Sequence, residues 1–142
     1  MLLAWRALAL WSALHTPLTM SPDSLQLALT TDKPAYRSGE PIEFTLKVTN
    51  RSGQAIVFEF SSSQRYDLEI ADSSGARVWQ WSSGRMFAQM MGSERLAPGE
   101  TREYRERFSA PLSPGTYRAT GIITASGAAL RGSTTFTVRG RS

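Results

Sequence analysis

Apolar residues fall on every second position through several short stretches of this chain, the period of a strand that buries one face. Leu25, Leu27 and Leu29 alternate first, and Ile42, Phe44, Leu46 and Val48 alternate next. Between them, Asp32-Lys33-Pro34 and Ser38-Gly39-Glu40-Pro41 bracket an irregular crossing, so these two strands are expected on different sheets. Asn50-Arg51-Ser52-Gly53 reads as a turn; Asn50-x-Ser52 also spells a glycosylation acceptor, but the turn is the better account of this polar cluster. Residues 55–60 give the next strand. Tyr66, Leu68 and Ile70 then alternate with Asp67 and Glu69, Asp72 to Gly75 supply a turn, and residues 78–81 return with Trp79 and Trp81 on one face. There the regularity stops. Residues 82–95 are broken by glycine and serine and carry Met86, Phe87, Met90 and Met91, a pattern too short and interrupted for a helix.

Pro98-Gly99 opens a further strand through Tyr104 and Phe108, and Leu112-x-Pro114-Gly115-x-Tyr117 opens another. A tyrosine just inside a strand after a Pro-Gly turn resembles the tyrosine corner of immunoglobulin-like sandwiches, where the phenol bonds nearby backbone. Gly121 to Ile123, then Thr134, Phe136 and Val138, complete the series. Seven or eight short strands with turn signals at regular spacing predict an all-β, immunoglobulin-like antiparallel β-sandwich with one core.

A length of 142 residues suits one domain. The formal charge of +4 is not evenly spread: up to Glu100 the chain has 9 basic and 10 acidic residues, and after it 7 and 2. The late arginines sit at alternating strand positions among acids or at the tail, which describes a solvated face; no nucleic-acid motif accompanies them, and no nucleic-acid partner is expected. Residues 1–19 form an apolar leader interrupted by Arg6 and Ser12, the length of a signal-peptide core and too short for a stable membrane span. This favours export or a cell-envelope location, with a cytoplasmic domain of residues 20–142 as the alternative if translation starts at Met20.

Little in the chain suits catalysis. The one histidine, His15, lies in the leader, and cysteine is absent, which removes histidine triads, thiolate nucleophiles and the usual zinc ligands together. Asp67, Glu69 and Asp72 are the densest acids, but they lack the spacing of a calcium loop and read as solvated strand and turn residues. No enzyme activity, metal or cofactor is expected. Trp79 and Trp81 read first as core, with a sugar-stacking platform and a protein interface as alternatives.

The spaced residues Phe58-x-Phe60, Gln64, Tyr66, Asp67, Asp72, Gly75, Val78-Trp79-x-Trp81-Ser82, Gly84, Phe87, Gln89 and Leu96-x-Pro98-Gly99-Glu100 together resemble the bacterial intracellular proteinase inhibitor family, the BsuPI-type domain. The resemblance covers residues 24–139. It implies an immunoglobulin-like sandwich that binds and inhibits serine proteinases, chiefly subtilisin-like ones, and it supplies no reactive residue. An inhibitor needs an exposed segment already held extended, so that its backbone adds to the enzyme's edge strands at little ordering cost. Residues 82–95 are the segment long, apolar and central enough for this, with Arg85, Met86, Phe87, Met90 and Met91 as the expected contacts and Trp79 and Trp81 as a second aromatic interface. The alternatives are an adaptor sandwich that docks another envelope protein, and a carbohydrate-binding module; a methionine cluster that only closes the end of the sandwich is the structural account of the same residues.

Overall fold

A computed structural model describes residues 24–127 and 130–140. The expected leader, residues 1–19, with His15 and the alternative start at Met20, lies outside the described residues. Ten strands follow in order: β1 (Leu25–Thr31), β2 (Ala35–Arg37), β3 (Ile42–Asn50), β4 (Ile56–Phe60), β5 (Tyr66–Ala71), β6 (Arg77–Gln80), β7 (Gly92–Leu96), β8 (Thr101–Phe108), β9 (Gly115–Ile123) and β10 (Leu130–Arg139). No helix occurs among the described residues, and none there is long and apolar enough to cross a membrane.

The strands form a three-stranded sheet β1-β3-β8, a five-stranded sheet β2-β10-β9-β5-β6 and the pair β4-β7. Every pairing is antiparallel except β2 with β10. The all-β sandwich is therefore as the alternation predicts, but with ten strands instead of seven or eight. The two additions are β2 and β7. The expected placement of the first two strands on different sheets is also corrected: Leu25–Thr31 pairs along its whole length with Ile42–Asn50. It is the crossing between them that visits the other sheet, where Tyr36 is buried and the Ala35–Arg37 backbone pairs with residues 137–139.

Alternation translates directly into the core. Along β3 the burial pattern puts Ile42, Phe44, Leu46 and Val48 inward, and Phe44 meets Phe136 of the opposite sheet edge-on with ring centroids 6.3 Å apart. Leu46 lies so close to β9 that a Cβ at Gly121 would come within 2.5 Å of its Cδ1, so a larger residue here would require Leu46 to shift in the core. Phe58, Phe60 and Leu96 from β4-β7 join the same cluster. Each large side chain buried this way contributes about 2–3 kcal/mol.

The tyrosine corner is present. Tyr117 is buried against Phe136, ring centroids 5.6 Å apart, and its hydroxyl donates to the Ser113 carbonyl at 2.5 Å. Tyr36 makes a comparable closure in the crossing, donating to Asp32 Oδ1 at 2.6 Å while accepting from the Lys33 amide at 2.8 Å.

Candidate functional site

Residues 81–91 connect β6 to β7. The predicted loop of residues 82–95 is thus shorter than expected, because Gly92 to Leu96 pair with β4 and Arg95 stands in a ladder opposite Val57. Ser83 N donates to Gln80 O at 3.2 Å and Arg85 N to Ser82 O at 3.0 Å, giving two overlapping turns. Gly84 takes φ +78°, a left-handed conformation that side chains with a Cβ resist.

Three ties hold this segment to the sandwich. At its start, Ser82 donates through its amide to Asp67 Oδ1 at 3.0 Å and through its hydroxyl to Oδ2 at 2.7 Å. Asp67 also accepts from Gln80 Nε2 at 2.7 Å and from the Leu68 amide at 2.9 Å. In the middle, Ala88 and Ser63 exchange two bonds, Ala88 N to Ser63 Oγ and Ser63 N to Ala88 O, each 2.9 Å. At the far end the β4-β7 ladder takes over.

Asp67 corrects the sequence expectation of a solvated acid: it is buried, at 6% exposure. Burying a carboxylate is costly unless its lone pairs are satisfied, and here four donors do so, with no basic partner among the described residues. Glu69 and Asp72 behave more nearly as expected, Glu69 pairing with Arg77 and Asp72 capping its turn through the Ser74 and Ala76 amides. The hydrogen bonding of Asp72, led by the Ser74 hydroxyl, holds its carboxyl below the usual range.

The two tryptophans have separate jobs. Trp79 stacks on Phe44 and leans on Phe108, centroids 6.3 and 4.9 Å away, so it belongs to the core. Trp81 lies under the loop: Tyr66 stacks on it at 4.6 Å and the Arg85 guanidinium carbon stands 4.4 Å from its centroid. Tyr66 and Arg85 thus both pack against the Trp81 ring. Phe87 adds a third contact at 5.8 Å. The Trp81 indole N–H, buried and without a partner, is the exception among the described residues to the expectation that a packed tryptophan finds an acceptor.

Tyr66 continues the stack to Tyr104 at 4.6 Å and donates its hydroxyl to Glu106. Burial, then the Glu106 carboxylate, pushes the Tyr66 phenol well above its ordinary value, so it stays protonated. Beneath β7, Glu94 bridges Arg65, at 3.2 Å, and Arg102. A cavity of about 10 Å³ beside this bridge, lined by Phe58, Phe60, Leu96 and Tyr104, has room for about one water and for no larger ligand.

Of the predicted contacts, Arg85 and Phe87 come together on Trp81, while the methionines stand apart from it in solvent: Met86 is 98% exposed, Met90 69% and Met91 85%. They do not close the end of the sandwich. Among the described residues no cluster of histidine, aspartate and glutamate could hold a metal ion.

The family model described as "BsuPI: Intracellular proteinase inhibitor" matches residues 29–128. No curated protein matches the sequence. The sporulation control protein Spo0M from Bacillus subtilis is similar in structure, with a TM-score of 0.54 at 15% identity over 84% of this chain and 50% of its own. The C-terminal domain of wzt gives 0.55 at 14% identity, covering 84% of this chain and 75% of that one. Red sea bream transglutaminase gives 0.53 at 11% identity, covering 81% of this chain and 16% of that one. The chain thus spans half the length of Spo0M, and at these identities the likeness is one of fold alone.

Proposed function

This chain belongs to the BsuPI family of intracellular proteinase inhibitors, and from that premise we propose that it inhibits a subtilisin-like serine proteinase through residues 82–91. A proteinase inhibitor acts by binding a proteinase, not by turnover. The supporting observation is the pairing of restraint and exposure in one loop. Its base is fixed at Ser82, Ala88 and Gly92, and between those ties Met86, Met90 and Met91 stand in water. An apolar side chain held in solvent at no packing benefit to its own fold is suited to burial by a partner, and a loop already restrained loses less conformational freedom when bound.

The test is titration of subtilisin with the purified protein. Met86→Ser should weaken inhibition by about 2 kcal/mol, roughly thirtyfold, from lost apolar burial. Its thermal midpoint should not move, because the side chain touches little of its own protein. Inhibition that survives serine at positions 86, 90 and 91 together, with the fold intact, would turn attention to the other turns.

A further inference from the structure

We infer that Met86 is the side chain this loop delivers to the main specificity pocket of the proteinase, and that the inhibitor therefore selects enzymes whose pocket is deep and apolar. The inference rests on the loop being the contact and adds which residue and which pocket.

Position 86 differs from its neighbours in the way a pocket-filling residue must. Arg85, the nearest residue that could serve an acidic pocket, is already committed: its guanidinium stacks on Trp81 at 4.4 Å, and its Nε donates to the Trp81 carbonyl at 2.9 Å. Extracting it would forfeit a cation–π contact and a charge-assisted bond together. Phe87, on the other side, leans on the same indole and is half-buried. Both flanking side chains thus turn back to one ring, and Met86 between them is the most exposed large apolar residue among the described residues.

Its backbone is equally free. Among the described residues neither the amide nor the carbonyl of Met86 bonds elsewhere in the chain, whereas Arg85 N and both polar groups of Ala88 are engaged. Unpaired backbone flanked by pinned residues is what an enzyme's edge strand needs in order to add the segment to its own ladder. The other exposed apolar residues fit less well. Val57 is paired with Arg95 in the β4-β7 ladder, Val78 sits at the irregularity of edge strand β6 and not in a loop, and Met90 and Met91 lead directly into β7. A flexible unbranched thioether suits an apolar slot, not the acidic pocket of a trypsin-like enzyme or the small pocket of an elastase-like one.

The experiment compares inhibition constants of the full chain against subtilisin, chymotrypsin, trypsin and elastase, for the wild type and for Met86→Lys, Met90→Lys and Met91→Lys, with thermal midpoints recorded for each. The wild type should favour subtilisin or chymotrypsin over trypsin by at least tenfold. Met86→Lys should weaken that inhibition at least tenfold and strengthen inhibition of trypsin by a similar factor, while the other two variants leave the ranking unchanged. If Met90→Lys or Met91→Lys reverses the ranking and Met86→Lys does not, the loop remains the contact and the assignment of position 86 is overturned. If no variant alters any constant although all remain folded, or the wild type inhibits none of the four, the assignment falls together with the loop.

Discussion

Asn50 and Asp67 are the two buried polar residues among the described residues, and they serve opposite kinds of loop. Asn50 is fully buried at the end of β3, where its amide donates to Gln54 O at 2.7 Å and Leu96 O at 3.0 Å and its Oδ1 accepts from Ser52 N at 2.9 Å. The short turn after it is closed by these bonds. Asp67 also spends every lone pair it has, but only on Gln80, Ser82 and its own strand, and beyond Arg85 the loop continues without an internal hydrogen bond until Ala88 meets Ser63. One polar anchor completes a turn; the other fixes the base of a loop and leaves apolar side chains outside. A closed turn and an exposed loop are thus distinguished by where the internal bonding stops.

Asn50→Ala should have the largest effect, about 3 kcal/mol in a denaturant titration, because it leaves the Leu96 carbonyl and the Ser52 amide without their partner. At temperatures where the variant remains folded, its inhibition constant should equal that of the wild type. The same asparagine commits its Nδ2 to two carbonyls, so mass analysis should find it unglycosylated.

Tyr36 offers a second closed anchor that responds to pH. Burial, with the Asp32 hydrogen bond next, raises its phenol from 10.0 to about 12. The folded state therefore favours the protonated form. That contribution is complete below pH 10 and disappears as pH rises through about 12, a loss of about 3 kcal/mol. Tyr66 shifts in the same direction. In denaturant titrations from pH 9 upward, Tyr36→Phe should remove part of the alkaline loss, and a slope identical to wild type would exclude Tyr36 as its source.

Asp67→Ala should cost somewhat less stability, about 2 kcal/mol, because the freed Ser82 and Gln80 donors lie near enough to solvent to find water. Unlike Asn50→Ala, it should also weaken inhibition of a target proteinase in fully folded protein, by releasing the base of the loop. Equal inhibition in the two variants would dissolve the distinction between the loops. The smallest effect is expected from a chain beginning at Met20: β1 pairs with β3 from Leu25 onward, so its melting midpoint should match that of the full sequence.

Most of the sandwich was legible because its strands bury alternate residues over five or more positions. Leu25–Thr31, Ile42–Asn50 and Tyr66–Ala71 were all visible in this way, and Pro114-Gly115-x-Tyr117 announced its corner. The two strands that escaped notice carry too little pattern. Ala35–Arg37 has three residues and is held by pairing with a strand about a hundred positions later; Gly92–Leu96 has a single large apolar residue. The burial of Asp67 is not legible in the sequence, because alternation places it opposite Leu68 and says nothing of what covers the outer face. β5 lies between β6 and β9, and the start of the loop folds over that face. A signal was nonetheless present in Gln80 and Ser82, two donors on alternate positions that flank Trp81. Of the candidate loop, the pattern shows the methionine cluster but not that Arg85 and Phe87 pack on Trp81.

Three thioethers in water, in a chain without cysteine, also make this loop the chemically softest part of the described protein. Peroxide transfers one oxygen atom to a methionine sulfur, yielding the sulfoxide and water, and replaces an apolar, flexible end with a polar, chiral one. The strands behind the loop would not register the change, and the thermal midpoint should stay where it was. On the proposed role of the loop, the inhibitory titre of a stored sample should instead decline with its oxidative history and return on treatment with methionine sulfoxide reductases, while the sandwich remains folded.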